Sequence, residues 1–138
     1  MLIPHGTLIA VADGTKAELF RNDGDEANVK LSALPKPDVH AHGRDSGGRH
    51  RSSTANHAKH LQEEDAFAAA FVAFLNHETI ANKVEHLIVI AAPRALGEMR
   101  RHYHVKLKSK LIGELAKELT AKSPETIVHE LKLAHPHH

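Results

Sequence analysis

The chain has 138 residues with 18 Lys and Arg against 17 Asp and Glu, so a formal charge of +1 makes no global electrostatic case for nucleic acid. It contains no Cys, which excludes disulfides, zinc–thiolate centres, iron–sulfur clusters and Cys nucleophiles. Aromatics are 4% of residues and Trp is absent, so the core must be aliphatic and a base-stacking platform is not expected.

Residues 7–12 are apolar and predict a first strand. Asp13-Gly14 follows, a hairpin signal because both residues tolerate positive φ. Residues 16–21 alternate polar and apolar, as a half-buried strand does. Asp23-Gly24 predicts a second turn. Val29, Leu31 and Ala33 then share one side of a third strand, which Leu34 ends before Pro35 and Pro37. These segments read as an antiparallel meander. Residues 35 to about 55 form a long polar connection with Gly43, Gly47, Gly48 and the basic Lys36, Arg44, Arg49 and Arg51, alongside His40, His42 and His50. Connections of this length are commonly functional or disordered.

A long helix is predicted from Asn56 to Asn82, with Leu61, Ala68, Phe71, Val72 and Leu75 on one stripe and Phe67 and Phe74 widening it. Residues 86–92 are apolar almost throughout, which predicts a central strand covered on both faces. Pro93 ends it, and a helix is expected from Ala95 to about His104. Residues 105–121 are ambiguous. Leu107, Leu111, Leu115 and Leu119 recur every four residues and favour helix, yet 110–115 would also serve as an edge strand. Ser123-Pro124-Glu125 is a helix start, with a hydroxyl cap, Pro at the first position and an acid in the first turn. That last helix should reach Leu133. The pattern is an α/β layer fold: a mixed sheet begun by a meander and flanked by helices.

The length fits one domain over 1–134, followed by a His-rich tail at 135–138. Residues 1–6 lack the basic flank and long apolar run of a signal peptide, and no segment approaches the ~20 apolar residues of a membrane span. A cytoplasmic protein with no membrane segment is expected. An exposed strand edge in the meander offers a route to a homo-oligomer.

Several landmarks, in order and spacing, resemble the bacterial host-attachment protein family. They are His5-Gly6-Thr7 with Val11-Ala12-Asp13-Gly14, the glycine-rich connection before the long helix, Leu87-Ile88-Val89-Ile90-Ala91-Ala92-Pro93, Leu96-Gly97-Glu98-Met99-Arg100, and the closing Ser123-Pro124-Glu125 helix. The resemblance covers nearly the whole chain. That family is similar, more distantly, to the middle domain of archaeal and eukaryotic peptide-release factors. The resemblance implies a ribonuclease-H-like mixed sheet, and it favours the strand reading of 110–115. Release factors carry a Gly-Gly-Gln loop before a long helix, where it promotes peptidyl-tRNA hydrolysis. Here Gly47-Gly48-Arg49 occupies a similar place. Arg lacks the paired donor and acceptor of an amide, so release activity is not carried over.

Four groups of residues are candidates for chemistry. Arg44, Gly47, Gly48, Arg49 and Arg51 suit phosphate or an acidic partner, against the alternative of a solvated connector. His50, His57 and His60 are spaced to share a metal ion, against the alternative of surface His in a chain with 14 of them. Asp13 would be one carboxylate of a ribonuclease-H-like nuclease, but Glu18, Asp65 and Glu85 complete no recognisable set with it, and a turn accounts for it. Arg94, Arg100, Arg101 and His102 follow the central strand, where open α/β sheets bind ligands, and Pro93 and Gly97 would let an anion approach a helix start. Ser109 and Ser123 have no activating neighbours, so no catalytic residue is assigned and no cofactor is called for. Three readings remain. One is a non-enzymatic interaction protein of the host-attachment type, meeting a macromolecular partner through residues 36–59. The second is an RNA- or ribosome-associated factor, and the third a metal-dependent hydrolase.

Overall fold

The computed structural model describes residues 2–39 and 57–134, and for residue 57 the backbone alone. Among these residues five strands form one open mixed sheet: β1 (Leu8–Ala12), β2 (Ala17–Asn22), β3 (Leu31–Ala33), β4 (Leu87–Ala91) and β5 (Leu111–Ala116). Their order is β3-β2-β1-β4-β5. The first three make the antiparallel meander, while β4 lies parallel to β1 and β5 parallel to β4. Among the described residues four helices complete the α/β architecture: α1 (His57–Ile80), α2 (Pro93–Arg100), α3 (Val105–Lys110) and α4 (Pro124–Leu133).

Alternation along the strands sends two different surfaces to the two faces. Ala10 and Ala12 of β1, with Leu87, Val89 and Ala91 of β4, meet Ala68, Phe71 and Leu75 of α1, Leu96 and Met99 of α2, and Leu107 of α3. Ile9, Val11, Ile88 and Ile90 meet Ile127 and Leu131 of α4. Alanines on the first face let α1 approach closely and seat Phe71, which is fully buried. Every residue of β4 is buried, as its unbroken apolar run predicts.

Several boundaries differ from expectation. The third strand keeps only Leu31–Ala33, and Val29 packs against the core from outside it. Leu61 is half-exposed, so the buried stripe of α1 begins at Ala68. Helix α2 opens at Pro93, two residues early, and closes at Arg100. Residues 105–121 hold both alternatives in succession. Helix α3 runs to Lys110 and β5 begins at Leu111, because that backbone finds the open edge of β4.

The two Asp-Gly turns form by another mechanism than the one expected. Neither uses a positive φ, which among the described residues occurs only at Gly6, Asn82 and Ala121. In the first turn the Asp13 carboxylate accepts the backbone N–H groups of Thr15 and Lys16, each at 2.7 Å. In the second, a side chain on Gly24 would place its Cβ 2.0 Å from the Asn28 carbonyl oxygen, so glycine is required for space. Asn22, fully buried beside it, donates to the Ile3 carbonyl at 2.9 Å and accepts from the N–H groups of Gly24 and Lys30. Asn82 in the left-handed region closes α1, with Lys83 N–H donating to the Glu78 carbonyl at 3.0 Å.

Candidate functional site

Strands β1 and β4 end side by side, with Ala12 paired to Ala91. The turn Asp13–Lys16 leaves one strand and Ala92-Pro93 the other, and the first half of α1 passes over both. An added Cβ on Gly14 would lie 2.6 Å from Glu64 Cδ, so a larger residue there would push the flexible Glu64 side chain aside. Gly14, Glu64, Asp65, Ala92, Arg94 and Ala95 line a cleft of about 50 Å³. Water occupies roughly 30 Å³ in the liquid, so the cleft suits one or two waters rather than a base or sugar.

The acids at this end of the sheet are each engaged. Asp65 accepts from Arg94 Nη2 through both carboxylate oxygens at 3.0 Å. Glu64 Oε2 lies 3.2 Å from His60 Nε2, one helical turn away. Glu18 accepts from the N–H of Ala121 at 3.2 and 3.3 Å. Asp13 accepts from Thr120 Oγ1 at 2.6 Å. Partial burial pulls the Asp13 carboxyl upward, but the hydrogen bonds from Thr120, Thr15 and Lys16 outweigh it and hold it below the usual carboxylate value. Asp13 and Glu18 therefore fasten residues 120–121 to the sheet. Glu85 stands apart, two residues before β4 begins. Among the described residues no three His, Asp or Glu side chains are grouped to hold a metal ion.

The arginines that follow β4 do not make one patch. Arg94 stands at the start of α2 and Arg100 at its end, roughly 9 Å along the axis at 1.5 Å per residue. Arg100 donates to Glu114 Oε1 through Nε at 3.0 Å and Nη2 at 2.8 Å. Tyr103 donates to the other oxygen of Glu114 at 2.8 Å. Burial first, and then this bond to a carboxylate, push the Tyr103 hydroxyl far above its ordinary pKa. Arg101 and His102 both approach Glu98, at 3.6 and 3.0 Å. Gly97 sits mid-helix with open space around it, not at a helix start.

Of the other expected site residues, Arg44, Gly47, Gly48, His50, Arg49 and Arg51 lie outside the described residues, as does the side chain of His57. Sequence reasoning missed Glu114, the shared acceptor of Arg100 and Tyr103. It also missed Asn76, which donates to the His102 carbonyl and accepts from the His104 N–H, both at 3.0 Å, and so fixes the α2–α3 corner. No short motif announces either residue. A third omission was legible: from Met99 to Gly113 the chain has basic residues and His but no acid.

The profile of bacterial archaeo-eukaryotic release factor family 12 matches residues 6–131. The chain belongs to that family. The match takes in the meander, the long connection, all four helices but the last residues of α4, and both parallel strands. The more distant release-factor relationship, read through landmarks along nearly the whole chain, thus holds at the level of the family, and the profile names that family rather than the host-attachment one. No curated protein matches the chain. Among the described residues, no helix is long and apolar enough to cross a membrane.

Proposed function

We propose that this protein is an RNA- or ribosome-associated factor of release-factor lineage that does not itself hydrolyse peptidyl-tRNA. Membership of the release-factor family across residues 6–131 carries this reading. The strand order, with β2 antiparallel in an otherwise parallel central sheet, supports a ribonuclease-H-like ancestry for the scaffold. Arg49 in the place of the catalytic amide argues against release chemistry. Arg44, Arg49 and Arg51, with Gly47 and Gly48 allowing close approach, would meet phosphate through charge and bidentate hydrogen bonds. The test is co-sedimentation with ribosomes together with RNA binding across a salt series. Replacing the three arginines by Gln should flatten the log–log salt slope by roughly 0.7–0.9 for each lost contact. Absence of any salt-sensitive RNA or ribosome binding by the unaltered protein would end this reading.

The landmarks shared with host-attachment proteins support a second reading, in which the segment 36–59 docks on a protein partner without catalysis. Deleting residues 40–54 should then abolish capture of that partner, and retention of every partner would reject the surface. The metal set of His50, His57 and His60 is a third reading that rests on sequence spacing, with His60 Nε2 3.2 Å from Glu64 Oε2. Metal analysis of protein lacking residues 135–138 tests it, and less than one equivalent after dialysis would dispose of it.

A further inference from the structure

The α2–α3 corner carries a run of basic residues at a distance in sequence from the glycine-rich segment. Between Met99 and Gly113 there are seven Lys, Arg and His residues and no Asp or Glu. Arg100 is paired with Glu114, while Arg101 and His102 share the one carboxylate of Glu98, His102 as an ion pair only when protonated. Lys106, Lys108 and Lys110 are uncompensated, since none of them forms an ion pair among the described residues. On α3 the fully buried Leu107 takes the inward face, Lys108 is exposed on one flank, and Lys106 and Lys110 are half-buried on the other, where their flexible stems carry the ammonium groups outward.

The corner is rigidly presented. Asn76 bonds the chain on both sides of Tyr103, and His104 caps α3 by accepting the Lys106 N–H on Nδ1 at 2.9 Å. Val105 stands out beside the cap, 72% exposed. Tyr103, the chain's one tyrosine, is unavailable for stacking because its ring packs on the core and its hydroxyl is bound to Glu114.

We propose that this corner binds the phosphate backbone of structured RNA through Lys106, Lys108 and Lys110. The inference rests on the RNA-associated reading above and adds a contact surface to it. Uncompensated lysines on a fixed, short helix match a polyanion, and the lack of a free aromatic ring or base-reading amide there makes the contact one of charge and shape, not sequence.

The probe is a synthetic RNA stem–loop, titrated with protein at several salt concentrations. The K106Q/K108Q/K110Q variant should bind more weakly, and its log–log salt slope should shrink by roughly 2 to 3, the sum over three contacts at 0.7–0.9 each. Stems of unrelated sequence should be affected alike. The K122Q/K132Q variant, altered near α4, should behave as the unaltered protein does. An unchanged thermal transition in both variants excludes misfolding. If the unaltered protein binds the stem–loop and the R44Q/R49Q/R51Q variant weakens it while K106Q/K108Q/K110Q does not, this proposal is overturned and the RNA-associated reading stands. If the unaltered protein does not bind the stem–loop, this proposal is overturned, and if it also fails to sediment with ribosomes the RNA-associated reading falls with it. Equal loss with K122Q/K132Q would reduce the effect to net charge and overturn the corner as a site.

Discussion

Arg94 and Asp65 are joined by one guanidinium nitrogen that serves both carboxylate oxygens at 3.0 Å, across 29 residues of sequence. The bond ties the first turn of α2 to α1 over the ends of β1 and β4. Both side chains are about half or one-third exposed, at 52% and 37%, so the pair should stabilise only modestly. A double-mutant cycle with Asp65→Ala and Arg94→Ala, read by urea unfolding, should give a coupling of about 0.2–1 kcal/mol. A coupling well above that range would mean that the cleft is drier than its geometry indicates.

Tyr103 offers an unusually clean spectroscopic reading, because the chain has one Tyr and no Trp. Its hydroxyl is pushed up by burial and by Glu114, whereas an unfolded tyrosine titrates near about 10. The group's folded value is raised, so its contribution to stability is complete below the unfolded value and is lost as pH climbs above it. Tyrosinate absorbance should therefore stay absent through that region and appear only with alkaline unfolding. A smooth titration of the folded protein near the ordinary value would refute the buried Tyr103–Glu114 bond.

Two glycines should respond in opposite directions to the same substitution. Gly97→Ala meets open space within α2 and should raise stability by roughly 0.5–1 kcal/mol through helix propensity. Gly24→Ala drives a Cβ into the Asn28 carbonyl and must break the turn that Asn22 supports, with a loss of about 2 kcal/mol or more. Midpoints of urea unfolding for the two variants, compared with the unaltered chain, check both signs.

Asp13 should make stability acid-sensitive. Its folded value lies below the unfolded one, so the stabilisation is present above the unfolded value and disappears as pH falls through the folded one. Thr120→Val removes the largest of the hydrogen bonds that lower it. The variant should be less stable at neutral pH, and its stability should fall less steeply below about pH 4. Parallel pH profiles for variant and unaltered protein would show that Thr120 does not hold the carboxylate.

What the amino-acid order determined unaided was whatever depends on neighbours within one strand or one helical turn. The alternation of 16–21, the apolar run around β4, the stripe Ala68–Phe71–Val72–Leu75 and the Ser123-Pro124-Glu125 start all act over that short range, and each element stands where its pattern put it. Residues 105–116 exceed that range. Their four-residue leucine spacing suits a helix, but the vacant edge of β4 supplies backbone partners that only a strand satisfies, so the helix gives way at Leu111. The same reason governs the charges. Asp13 meets Thr120 across 107 residues, Glu18 meets Ala121 across 103, and Arg100 meets Glu114 across 14. Such partners come together only when sheet order and helix placement are decided. Which arginines are compensated, and which lysines are left to face a partner, is thus a property of the tertiary structure.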